Sequence, residues 1–85
     1  MKNLVTTLAK NQTVIEERAT GKKEFYSYDS LIATIENNTI TLDQKLWKFS
    51  QTTTKYLCKF LGYRSKKNIE EAIKNGLFKL SNLNK

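Results

Sequence analysis

Between Thr13 and Leu42 the chain alternates apolar and polar residues, broken by two short clusters of turn formers. Alternation sends successive side chains to opposite faces of a strand, so this stretch buries an apolar face by folding back on itself as a sheet. Thr13 to Ala19 reads as a strand, with Ile15 between Thr13 and Glu17 on one face and Val14 on the other. Thr20-Gly21-Lys22-Lys23 reads as a turn, because Gly21 is free to take a positive φ. Phe25 to Ile35 gives the strongest strand signal, with Leu31, Ala33 and Ile35 on one face and Ile32 with Thr34 on the other. Glu36-Asn37-Asn38 makes a tight connection, since Asn tolerates the left-handed region. Thr39 to Leu42 completes a three-stranded antiparallel meander with Ile40 and Leu42 inward. Such a sheet needs one face covered.

The cover is expected to be helical. Ser50-Gln51-Thr52-Thr53-Thr54 is a run of cap formers. Tyr56, Leu57, Phe60 and Leu61 then form an apolar stripe on a helix from about Thr53 to Leu61, stopped by Gly62. A second helix, from about Lys66 to Asn75, is capped by Ser65 and carries the stripe Ile69, Ala72 and Ile73. Glu70 and Lys74 stand four apart in the favourable order, and Gly76 ends the helix. Leu77 to Leu80 reads as a last short strand or a packed tail, and Ser81 to Lys85 as a frayed end. Residues 1–10 stay open. Leu4, Val5, Leu8 and Ala9 have helical spacing, but Val5-Thr6-Thr7 favours a strand. With no proline, repeat or low-complexity linker, residues 1–85 read as one α+β domain: a small antiparallel β-sheet of about three strands, covered on one face by two short α-helices.

At 85 residues the chain buries only about 60–65% of its unfolded surface, so the core is small. The single Cys58 allows no internal disulfide and fits a reducing cytosol. The absence of histidine leaves no His-dependent base and, with one cysteine, almost no route to structural zinc. No apolar run approaches a membrane span, and the first ten residues are too polar for a secretory signal. A cytoplasmic protein without cofactor is the expectation.

The net charge of +7 is lopsided. Residues 1–42 carry five basic and five acidic groups, which cancel, so the whole excess lies in residues 43–85. From Lys45 to Lys67 there are seven basic residues and no acid. Five of the nine aromatics share that stretch: Trp47, Phe49, Tyr56, Phe60 and Tyr63. Cations interleaved with rings suit a phosphate backbone with exposed bases; equally, they suit a helix with a packed side and a wet one. The candidate contacts are Lys45, Trp47, Lys48, Lys55, Lys59, Arg64, Lys66 and Lys67, with Lys55 and Lys59 on one helix face. Trp47 and Phe49 either stack on bases or close the end of the core. Tyr26 and Tyr28, one strand period apart, offer a platform beside Lys22 and Lys23 or cover the sheet edge. The hydroxyls before Lys55 make an anion site or plain N-caps, and without glycines they do not form a phosphate loop. The two helices resemble a helix-turn-helix in length only, because Glu70 and Glu71 on the second would repel phosphates. Cys58 reads as a packed thiol, and Asp29 and Asp43 are isolated carboxylates, so no general acid–base pair is in view.

One ordered set of segments goes beyond composition. Tyr26-Ser27-Tyr28-Asp29-Ser30-Leu31-Ile32-Ala33 precedes Asn37-Asn38 and Ile40-Thr41-Leu42; then come Leu46-Trp47-Lys48-Phe49-Ser50, Thr52-Thr53-Thr54-Lys55-Tyr56 and Phe60-Leu61-Gly62. This order resembles a family of small uncharacterised bacteriophage and mobile-element proteins, over residues 25–62. The resemblance implies that setting and no activity, and it leaves residues 1–20 and those after Gly62 outside the shared pattern. The expectation is a non-enzymatic binding protein that engages nucleic acid or a host nucleoprotein complex through its Lys and aromatic surface. The alternative is a counter-defence inhibitor of the anti-CRISPR kind that binds a host protein directly, seizing an acidic protein surface, a bound guide RNA or a dimer interface. A homodimer is a third possibility, and no membrane partner is expected.

Overall fold

The computed structural model describes residues 4–48 and 50–84. Six strands form one sheet: β1 (Leu4–Ala9), β2 (Gln12–Glu17), β3 (Lys22–Ser27), β4 (Ser30–Glu36), β5 (Thr39–Asp43) and β6 (Phe78–Ser81). Two helices, α1 (Gln51–Leu61) and α2 (Lys66–Lys74), fill the crossover from β5 to β6. The strands lie in chain order, antiparallel through β5, with β6 parallel to β5. A parallel partner requires the chain to travel back along the sheet, and α1 and α2 make that return over one face. The class is α+β as the sequence implies, but the sheet has six strands rather than about three and is not wholly antiparallel.

The additional strands arise in three places. β1 is exposed on both sides, which is why its sequence shows no clear alternation. The long strand expected from Phe25 to Ile35 is two strands, joined by Tyr28-Asp29 between the paired Ser27 and Ser30. Tyr28 takes φ +58°, a turn conformation that its side chain does not advertise. β6 is the short strand left open for Leu77 to Leu80. The turn at Asn37-Asn38 is as expected: both residues have positive φ (52° and 63°) between the paired Glu36 and Thr39, which is a type I′ hairpin.

A β-bulge corrects the face assignment in β4. Tyr26 pairs with Leu31 and Phe25 with Ala33, leaving Ile32 as the extra residue. Ile32 and Ala33 are therefore both buried, where alternation alone places Ile32 opposite. They join Phe25, Leu42, Trp47, Leu57, Cys58, Ile69, Ala72 and Phe78 in the core between sheet and helices. Phe60 of α1 stacks on Phe25 with ring centroids 5.6 Å apart, which fixes the helix over β3.

The far end is tied down rather than frayed. Asp43 is 2% exposed, and its carboxylate gathers four donors. Its Oδ1 accepts from the backbone N–H groups of Lys45 (3.0 Å) and Leu46 (2.9 Å). Its Oδ2 accepts from Leu83 N–H (3.0 Å) and Asn84 Nδ2 (2.9 Å). Asn84 also pairs with Leu31, accepting its N–H at 2.9 Å and donating to its carbonyl at 2.8 Å. Ser81 closes β6, so the expected fraying does not hold for residues 81–84. No helix is long and apolar enough to cross a membrane among the described residues.

Candidate functional site

The hydroxyl run before α1 sets the position of the cations that follow. Ser50 is the N-cap, its Oγ accepting the Thr53 N–H at 3.1 Å. Thr53 and Ser27 share a buried hydroxyl hydrogen bond of 2.9 Å, which pins the first turn to β3. Thr54 Oγ1 donates within reach of two carbonyls, Trp47 O (3.2 Å) and Ser50 O (3.0 Å). These are structural caps that fix where Lys55 and Lys59 stand. At the other end Gly62 takes φ +77°, and Tyr63 N–H donates to Cys58 O at 2.9 Å. This cap turns Tyr63 and Arg64 back towards α1, and Tyr63 is held there against Phe78 with centroids 5.3 Å apart.

The result is a recess of about 550 Å³ between α1 and the α1–α2 connection. Lys48, Lys55, Lys59, Arg64 and Lys66 line it, five of the seven basic residues in the acid-free run. Among the described residues no carboxylate lines it. Its least exposed lining residues are the buried Thr54 and Cys58 and the half-buried Ser50 and Tyr63, with the Ser50 hydroxyl engaged by Thr53; Gln51 and Ser65 line it as exposed side chains. Burial pushes the Cys58 thiol up, so it stays protonated near neutrality and adds no charge. Among the described residues Lys66–Glu70 (3.8 Å) is the only ion pair, so Lys48, Lys55, Lys59 and Arg64 have no carboxylate partner there. Three of the lysines lie instead over rings: Lys48 above Trp47 (5.9 Å), and Lys55 (5.6 Å) and Lys59 (5.0 Å) above Tyr56.

Other candidates are placed elsewhere. Lys45 and Lys67 are exposed but do not line the recess. Trp47 is 4% exposed and belongs to the core, so it is not a stacking surface. Phe49 lies outside the described residues. The tyrosine platform does not form, because the turn separates its members. Tyr28, 64% exposed, lines a second recess on the helix side with Ile32, Leu46 and Thr52. Tyr26 alternates with the buried Phe25 and Ser27 and so shares the opposite face with Glu24. Burial, then the neighbouring Glu24, raise its phenol above the ordinary value. An acid in that position is unsuited to phosphate. The second recess has a similar volume, about 550 Å³, but among the described residues no charged side chain lines it. Charge, rather than concavity, distinguishes the first.

One sequence reading is corrected by the geometry. Glu70 pairs back to Lys66 rather than forward to Lys74. Thr54, weighed only as part of the hydroxyl run before Lys55, and Tyr63, named among the aromatics but not among the candidate contacts, complete the recess. The signal for Tyr63 was its place between a helix-stopping Gly62 and Arg64.

No curated protein and no solved structure matches this chain. A family pattern does match, and it spans residues 1–76, including the segments on either side of residues 25–62 that the sequence resemblance left out. An 85-residue α+β chain matched over that span belongs to the family of unknown function DUF8033.

Proposed function

We propose that the protein binds nucleic acid, free or within a host nucleoprotein complex, through the cationic recess between α1 and the α1–α2 connection. The observation that carries this reading is the set of four cations, Lys48, Lys55, Lys59 and Arg64, around one cavity with no carboxylate within ion-pair distance among the described residues. Uncompensated like charges repel one another, and a fold that gathers them stores a field that a polyanion relieves. Binding proceeds by charge and shape complementarity without bond-making chemistry. The sequence resemblance over residues 25–62 favours a phage or mobile-element setting, and the cysteine usage favours the cytoplasm.

The test is fluorescence anisotropy with labelled DNA and RNA across a salt series. Four phosphate contacts give a log–log slope of about −3, a loss of about 50- to 150-fold between 50 and 200 mM salt. Binding that ignores salt refutes the reading.

A second reading, a counter-defence inhibitor that grips a host protein, is favoured by β1. This edge strand carries no charge, exposes Leu4, Val5 and Leu8, and among the described residues leaves one row of backbone groups without a neighbouring strand. It calls for association that tolerates salt and nuclease, is lost in Val5→Pro, and is indifferent to the recess lysines.

A further inference from the structure

We infer that the occupant of the recess is a single strand of nucleic acid, its phosphates on the cationic rim and one base turned inward onto Tyr63. This inference rests on the polyanion reading above and narrows it. The cations surround a hollow instead of cresting a ridge, and its volume of about 550 Å³ falls within the range of about 300–1,000 Å³ that takes a compact ligand.

The floor has a different character from the rim. Thr54 spends its hydroxyl on backbone carbonyls, Cys58 is an uncharged thiol, and Tyr63 presents a ring steadied by Phe78. A site for phosphate alone would have free donors at its base. A charged rim over an apolar, ring-bearing floor matches an occupant that is charged along one side and flat and apolar along the other. An unpaired nucleotide has that form, and base–ring stacking is the usual way such strands are held.

A duplex does not fit the same geometry. Its bases are stacked inside, and its phosphates lie on a convex surface that reaches only the rim. The element that would have to enter a major groove is α2, whose exposed Glu70 and Glu71 would meet the phosphates. Lys66, at the start of α2, is already engaged with Glu70.

The experiment uses the full chain and four labelled probes at 50 mM salt: an oligothymidylate of about ten nucleotides, an abasic oligomer of the same length, an oligouridylate, and a hairpin duplex. The oligothymidylate or the oligouridylate should bind at least about tenfold tighter than the duplex. The abasic chain, with the same phosphates, should bind about 5- to 100-fold more weakly than the thymidylate. Either sugar satisfies the proposal, and the tighter strand names the natural one. In Tyr63→Leu the advantage of thymidylate over the abasic chain should shrink while the abasic chain binds as before, with thermal melts establishing that the variant is folded. Salt-sensitive binding in which the duplex or the abasic chain equals the tighter of the two single strands overturns this inference and leaves the polyanion reading standing. Absence of binding by all four probes overturns both.

Discussion

Replacing Asp43 by asparagine changes one atom and should unlock one end of the domain. The Asp43 carboxylate accepts from four donors, two at each oxygen. An asparagine that keeps its oxygen towards Lys45 and Leu46 turns its NH₂ towards Leu83 N–H and Asn84 Nδ2, donor facing donor. A hydrogen bond to a charged group contributes about 1.5–3 kcal/mol, and an orphaned donor away from water costs about 1–3 kcal/mol. Asn84 is exposed and can turn to water, so its share is small; Leu83 is half-buried and its backbone is not free to turn. The expected loss is about 2–4 kcal/mol, against a total of roughly 4–13 kcal/mol for a domain of this size.

Thermal melts at neutral pH should therefore show a Tm lower by roughly 10–25 °C. The pH dependence supplies a second, independent readout. Burial works to raise the Asp43 pKa, but the hydrogen bonds from Leu46, Asn84, Lys45 and Leu83 together win, and the carboxyl lies below its ordinary value of 3.8. A depressed carboxyl stabilises the fold above its ordinary pKa, and that contribution disappears as pH falls through the lower folded value. The gap between parent and Asp43→Asn should be widest from about pH 5 upward and should close in stronger acid. A loss under about 0.5 kcal/mol, or a gap that stays constant with pH, would refute the reasoning.

Other perturbations follow from the same packing. Gln12 is 1% exposed, and neither its Nε2 nor its Oε1 has a hydrogen-bond partner among the described residues, so Gln12→Met should stabilise by about 1–3 kcal/mol in chemical denaturation; a loss would mean that the amide is bonded in solution. Tyr28→Gly removes a mostly exposed ring from a left-handed backbone and should raise the stability by up to about 1 kcal/mol in chemical denaturation; a loss would mean that the ring's contacts outweigh the strain. Lys59→Glu, at the recess, should weaken oligonucleotide binding by about tenfold or more, whereas Lys67→Glu, outside it, should change affinity by less than about threefold at 150 mM salt.

The helices and their ends were legible because each signal is local. Ser50 caps α1 through its side chain, Ser65 stands at the N-cap position of α2 but gives its hydroxyl to Asn68 and makes no cap bond, Gly62 takes its left-handed turn, and Asn37-Asn38 makes a primed hairpin. The sheet was under-counted where local chemistry is silent or misleading. β1 buries neither face, Tyr28 is an atypical residue for a positive φ, and the bulge at Ile32 puts two neighbours into one core. Asp43 read as an isolated carboxylate because its partners Leu83 and Asn84 lie 40 and 41 residues away in the chain. The basic run was plain in the sequence, yet which cations converge depends on the cap at Gly62 and on the anchoring of α1. These draw Lys48, Lys55, Lys59, Arg64 and Lys66 together and leave Lys45 and Lys67 outside.

The central claim is that the recess cations form one polyanion site. The most direct measurement is the slope of log Kobs against log salt for the parent and for a variant with Lys48, Lys55, Lys59 and Arg64 all replaced by Gln. A parent slope of about −3 that falls to near zero in the variant, with a melt no lower than the parent's, is the expected result. A variant slope within about one unit of the parent's would place the phosphate contacts elsewhere on the surface and contradict the claim.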